Sequence, residues 1–173
     1  MKVDFVRHGK TQNDVVIGRS NAPLIQEGVN QIQRILLGMS DDYQKIFSSD
    51  LLKCKQTAEI LNQKLNLHTN YDSRLREVDF GSLAGKRFNE IDITGRMEKK
   101  HKEQEYDYHP YGGESVEDVK ERVFAFVKDI KNNSRGKKIL VVTHGGVIRL
   151  LQNTKEINEK IHDSYIHEFE FPE

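Results

Sequence analysis

Residues 138–143, Lys-Ile-Leu-Val-Val-Thr, carry a continuous apolar run with no polar alternation. A strand of this composition calls for burial on both faces, the situation of a central parallel strand covered above and below by helices. His144-Gly145-Gly146 closes the run, and Val147 to Leu151 opens a helix directly after it. The N-terminus repeats the arrangement: Val3, Phe5 and Val6 form a short apolar strand that ends at Arg7-His8-Gly9.

Between these two strand ends the hydrophobic period changes repeatedly. Gly28 to Gly38 places Val29, Ile32, Ile35, Leu36 and Leu37 in a helical pattern, and Gly38 stops it. Lys45 to Ser48 reads as a second strand. Leu51, Cys54, Ala58, Leu61 and Leu65 form the apolar stripe of a helix over 51–65, with Cys54 as a buried thiol on that stripe. A third strand is expected near 67–71. Residues 97–107 are mostly charged and predict a solvated helix or a mobile excursion. Ser115 and Asp118 resemble a capping box, with Asp shorter than the usual Glu. The apolar face of a long helix follows through Val116, Val119, Val123, Phe126, Val127 and Ile130. The tail from Tyr165 to Phe171 alternates loosely and predicts an edge strand. Strands alternating with helices give an α/β three-layer sandwich: a mainly parallel central sheet with helices on both faces. With 173 residues and neither a linker nor a repeat, the chain reads as one domain spanning 1–173.

Charge narrows the partners. Lys plus Arg and Asp plus Glu are each 27, so no global field draws the chain to nucleic acid or to an anionic membrane. One cysteine permits neither an intrachain disulfide nor a cysteine-based zinc site. No apolar run approaches the ~20 residues of a membrane span, and the N-terminus enters a strand at once, so the cytoplasm is the expected compartment.

Ligands of open α/β sheets collect at the carboxyl ends of strands, where His8 and His144 both lie. Each is followed by glycine, which lets backbone amides approach a ligand closely. The other histidines, at 68, 101, 109, 162 and 167, share no spacing and are assigned to solvated or packing roles.

These residues belong to a longer pattern. Arg7-His8-Gly9-Lys10-Thr11-Gln12-Asn13 resembles the RHGxTxxN signature of the histidine phosphatase, or phosphoglycerate mutase-like, family. Pro23-Leu24 with Gly28 resembles PLTxxG, with Ile25 in place of threonine. Ser48-Ser49-Asp50-Leu51 with Gln56-Thr57-Ala58-Glu59 resembles SSxLxRAxQTAE, and Leu75-Arg76-Glu77 with Phe80-Gly81 and Gly85 resembles LxExxFGxxxG. Gly112-Gly113-Glu114-Ser115 and Val142-Thr143-His144-Gly145-Gly146 match two further blocks. The six blocks stand in the family's order over most of residues 1–150.

The resemblance implies a phosphoglycerate mutase-like fold and a covalent, metal-independent route without a cofactor, acting on a small phosphorylated metabolite. His8 would attack as neutral imidazole and become phosphorylated. Arg7 would grip phosphoryl oxygens with its planar fork. His144, if protonated, would add a second cation, and amides around Gly145 would donate hydrogen bonds. Glu77 would protonate the leaving oxygen and then activate water. Gly9, Thr11 and Asn13 are candidate phosphate or substrate contacts, although Thr11 and Asn13 fit loop-capping hydrogen bonds equally well.

Lys53 falls where the family's arginine clamps the phosphoryl group. Lysine keeps the charge and loses the fork. Lys10 and Ala84 replace common acidic residues, making the rim more positive if they line it. The short stretch after Leu151 points to a phosphatase rather than a mutase, which needs more cover over its intermediate. A cofactor-dependent phosphoglycerate mutase is the alternative within the resemblance. A catalytically weak phospholigand-binding relative is the alternative raised by Lys53.

Overall fold

In the computed structural model, which describes residues 1–12, 15–92, 94–154 and 165–171, the apolar run at 139–143 is buried at every position. The elements in chain order are β1 (Lys2–Arg7), α1 (Gln26–Gly38), β2 (Lys45–Ser48), α2 (Leu52–Leu65), β3 (Thr69–Tyr71), α3 (Phe88–Ile91), α4 (Arg96–Lys102), α5 (Val116–Asn133), β4 (Ile139–Thr143), α6 (Gly145–Thr154) and β5 (Ile166–Glu170). They form one five-stranded sheet in the order β3-β2-β4-β1-β5. β4 lies between β1 and β2 and runs parallel to both, as its two buried faces require. β3 extends the parallel set, and β5 is the edge strand expected of the tail, running antiparallel to β1.

Strand alternation divides the interior into two cores. Val3 and Phe5 of β1 share one face with Ile139 and Val141 of β4, packed under α5 and α6. Val6, Leu140 and Val142 point the other way and pack with Ile32 and Ile35 of α1 and Cys54, Ala58 and Leu61 of α2. Helices therefore cover both faces, which is the predicted three-layer sandwich.

Several boundaries differ from the sequence reading. α1 starts two residues early, at Gln26. Leu37, counted with its apolar face, is 84% exposed because the 3.6-residue period carries it round to solvent. α2 begins at Leu52, since Leu51 is still extended, and ends at Asn66 in the left-handed region. β3 is shorter than the expected 67–71. The short Asp118 side chain does complete a capping box: its Oδ2 accepts from the Ser115 amide at 2.7 Å, while Ser115 Oγ accepts from the Asp118 amide at 3.3 Å. The charged stretch contains α4, a helix with no fully buried residue, followed by a left-handed Gln104 that turns Tyr106 and Tyr108 into the core.

This topology brings two strand ends together. His8 follows β1 and His144 follows β4, and the His8 amide donates to the Thr143 carbonyl at 3.0 Å, continuing the ladder past the last paired residues. Among the described residues, no helix is long and apolar enough to cross a membrane.

Candidate active site

His8 is 7% exposed, and its Nδ1 lies 2.8 Å from the Gly9 carbonyl oxygen. A carbonyl only accepts, so Nδ1 carries the proton and Nε2 keeps its lone pair. Burial holds the ring neutral, with its pKa lowered to about 3; Arg7 and Lys53 push the same way, and the Gly9 carbonyl opposes them in part.

The loop bearing His8 is docked on two helices. The Gly9 amide donates to Thr57 Oγ1 at 3.1 Å, and that hydroxyl donates to the Lys53 carbonyl at 2.8 Å, tying the loop to α2. Gly28 brings α1 against the same loop: a Cβ there would fall inside the contact distance of the Lys10 backbone. The Leu24 amide is held by Gln56 Oε1 at 2.8 Å. Much of the sequence pattern between 23 and 57 thus serves to seat the His8 loop.

His144 is fully buried, with its ring centroid 5.1 Å from that of His8. Its Nε2 lies 2.8 Å from Ser49 Oγ and 3.3 Å from Cys54 Sγ. Burial, then the charges of its neighbours, holds its pKa well below the usual histidine range. The protein's own groups therefore do not meet the condition attached to its role as a second cation. Cys54 is the buried thiol expected, its pKa raised by desolvation.

Lys53 is 1% exposed and reaches the pocket from α2, where its Nζ donates to the Gly18 carbonyl at 2.6 Å. Burial lowers its pKa, and Glu77 opposes that shift. Glu77 stands on the loop after β3. Its Oε1 accepts from the Val78 amide at 2.9 Å, and its Oε2 faces the Gly146 amide at 3.4 Å, at the start of α6. Gly145 packs on Arg7: a Cβ on it would lie 3.3 Å from Arg7 Nε.

Arg7, His8, Thr11, Lys53, Glu77 and Gly145 all line one cavity of about 390 Å³. The Gly9 amide is tied to Thr57, and Thr11, while lining the cavity, donates to the Gln12 carbonyl at 3.3 Å, the loop hydrogen bond expected of it. Asn13 lies outside the described residues, as does His162. Lys10 and Ala84 are not on the cavity wall, and Lys10 pairs with Glu27 at 2.6 Å, so neither makes its rim more positive. Among the described residues, no three His, Cys, Asp or Glu side chains converge as metal ligands would.

Two parts of the cavity escaped the sequence reading. Arg149 lines it from α6, one turn beyond Gly145; burial lowers its pKa and Glu77 opposes the shift. The i, i+4 spacing from Gly145 was the available signal, since it puts both residues on one face of the helix. The other part is Phe80, Ile91, Met97, His101 and Tyr108, which line the same cavity together with Asp92, Glu98 and Lys102. His101 packs, as expected, and does so at the cavity: it stacks on Tyr106 at 4.8 Å between centroids, and its Nδ1 lies 3.1 Å from Tyr108 Oη. Desolvation lowers its pKa to about 4.

The chain belongs to the histidine phosphatase superfamily (branch 1), whose family model matches residues 3–164. It is 32% identical over 166 residues to a probable phosphoglycerate mutase GpmB of Salmonella paratyphi A, an alignment that covers 89% of this chain and 74% of that protein. The crystal structure of TTHB049 from Thermus thermophilus superposes with a TM-score of 0.80 at 29% identity, covering 99% of this chain and 95% of that one. The mycobacterial glucosyl-3-phosphoglycerate phosphatase Rv2419c gives a TM-score of 0.78 at 25% identity, over 90% and 80% of the two chains.

Proposed function

We propose that this chain hydrolyses small phosphate monoesters through a phosphohistidine on His8, without a metal. The observation that carries the reading is the His8 ring itself. Its Nδ1–H is committed to the Gly9 carbonyl, and its neutral Nε2 sits in a cavity with Arg7 and Lys53. A neutral imidazole held beside two cations is what attack on a phosphate dianion requires.

In the first step the Nε2 lone pair forms the N–P bond, the bond from phosphorus to the ester oxygen breaks, and that oxygen takes the proton of the Glu77 carboxyl. In the second step Glu77, now a carboxylate, removes a proton from water. The oxygen attacks phosphorus, the N–P bond breaks with its electrons returning to Nε2, and phosphate leaves. His144 lies buried beside His8, and an arriving dianion would favour its protonation, so that it would become a cation only when one is needed.

The cavity also bears on the alcohol. Phe80, Ile91, Met97, His101 and Tyr108 offer apolar and aromatic surface to whatever lies beyond the phosphoryl group. Gln12, Asp92, Glu98 and Lys102 line the same cavity and offer partners to hydroxyl or charged groups of the alcohol, so the lining accepts a polar alcohol as well as an apolar one. The mutase reading rests on the name of the Salmonella relative, and it predicts interconversion of 2- and 3-phosphoglycerate.

The test is phosphate release in EDTA from p-nitrophenyl phosphate, aryl and alkyl phosphates, sugar phosphates and both phosphoglycerates, comparing wild type with His8→Ala. Turnover that survives EDTA and vanishes in the variant is expected. Turnover retained by His8→Ala, or none by the folded wild type, would overturn the reading.

A further inference from the structure

The loop that carries Glu77 has no regular secondary structure at Arg76–Phe80, yet its carbonyl groups are all engaged over residues 74–77. Arg122 Nη1 on α5 donates to the Arg74 carbonyl at 2.6 Å and to the Arg76 carbonyl at 2.7 Å. Thr143 Oγ1 donates to the Leu75 carbonyl at 2.8 Å. The Glu77 carbonyl receives two donors, Arg19 Nε at 3.0 Å and Arg122 Nη2 at 3.2 Å. Four consecutive acceptors are thus met by side chains from three separate parts of the chain.

Glu114 holds the two arginines together. Its Oε1 accepts from Arg19 Nη2 at 2.7 Å and from Arg122 Nε at 2.9 Å, and its Oε2 accepts from Arg122 Nη2 at 3.0 Å and from the Asp79 amide at 3.0 Å. Asp79 Oδ2 closes the set on Arg19 Nη1 at 3.1 Å. The Arg122 and Glu114 side chains are largely shielded from solvent, where charge-assisted bonds are strong and their loss is costly. Neither residue lines the cavity. Arg122 and Arg19 bond the main-chain carbonyl of Glu77, Glu114 holds those two arginines and the Asp79 amide, and Glu77 itself lines the cavity with His8.

We propose that Arg122, Glu114 and Arg19 are positioning residues that set where the Glu77 carboxyl stands relative to the leaving oxygen. This rests on the reading of Glu77 as proton donor. A guanidinium is needed at 122 because one planar fork spans three carbonyls and a carboxylate, which a single ammonium cannot do. The clamp acts on proton transfer to the leaving group, so its loss must weigh most on esters whose alcohol departs poorly without a proton.

The experiment measures kcat/KM, which reports phosphoryl transfer to His8, across a series from p-nitrophenyl and phenyl phosphates to alkyl phosphates. Wild type, Glu77→Gln, Arg122→Met, Arg122→Lys and Glu114→Gln are compared, with circular dichroism to establish folding. Every variant is expected to steepen the dependence on leaving-group pKa. Arg122→Met should lose about tenfold to a hundredfold more on alkyl phosphates than on p-nitrophenyl phosphate, a part of the roughly 10²–10⁴-fold that general acid catalysis supplies. Arg122→Lys should recover only part of that loss. Glu114→Gln carries the test if Arg122→Met does not fold. Equal losses across the series in folded Arg122 and Glu114 variants, beside a steepened series in Glu77→Gln, would overturn the clamp alone. A flat loss in Glu77→Gln would overturn the proton-donor reading and the clamp with it. Absence of turnover by wild type would overturn the phosphatase reading.

Discussion

One backbone carbonyl gives the two nitrogens of His8 different work, and the same economy runs through the residues around it. Gly146 shows it most sharply. A Cβ at 146 would sit inside van der Waals contact with Glu77 Oε1 and against the Val78 side chain. Gly146→Ala is therefore expected to displace the Glu77 carboxyl and lower kcat on alkyl phosphates in the folded variant; an unchanged kcat would show that the carboxyl need not stay there. Lys53 makes a second case. Removing one well-placed donor to developing charge costs ~2.7–4 kcal/mol, so Lys53→Met should lower kcat by about 10²–10³ in steady-state assays. Loss below tenfold would mean that Lys53 carries little of the phosphoryl charge and that the other cations of the cavity, Arg7 and Arg149, meet it. Arg7, His8 and His144 could be picked out at strand ends, Glu77 on a loop and Lys53 in the first turn of α2, because each falls in a short block that resembles the family's pattern. Arg149 was missed because an arginine on an amphipathic helix looks the same whether it faces water or a cavity, unless its i, i+4 step from Gly145 is followed.

Among the elements, β4 was the most legible, since a run buried on both faces leaves few places in a sheet. α5 was nearly as clear, with its apolar face and its capping box at Ser115 and Asp118. Removing that cap by Ser115→Ala should cost about 1 kcal/mol in urea unfolding, from the lost bond to the Asp118 amide and the freed Asp118 carboxylate. A shift near zero would assign the helix start to packing alone. α4 was read from its charge, and charge describes only the solvent side of so short a helix. Met97 and His101, four residues apart, share the other side and meet Phe80 and Tyr108 at the cavity. The clamp was hidden for a different reason: Arg19, Glu114 and Arg122 are far apart in sequence, and nothing local marks residues that meet only in the fold.

Across the molecule, three buried or partly buried histidines tie stability to pH. Folding lowers the pKa of His8 from 6.5 to about 3 and that of His101 from 6.5 to about 4, and places that of His144 well below the usual range. Well above pH 6.5 all three are neutral folded or unfolded, and they contribute no pH dependence there. Below it the unfolded chain binds protons that the folded chain refuses, so stability falls as pH drops towards 4, by up to about 1.4 kcal/mol per pH unit for each group. The urea midpoint should fall from pH 7 to pH 4.5, and fall less in His101→Phe, whose ring can keep the stack on Tyr106; identical slopes would remove His101 from the account. The proposed mechanism makes His8 the nucleophile at phosphorus. The most direct measurement is to mix the wild-type enzyme with radiolabelled p-nitrophenyl phosphate, quench in alkali, where phosphohistidine survives, and map the label. Label on the peptide bearing His8, absent from His8→Ala and lost on acid treatment, is the predicted result. An enzyme that turns over with no label at His8 during steady state, and whose His8→Ala variant turns over equally fast, would contradict it.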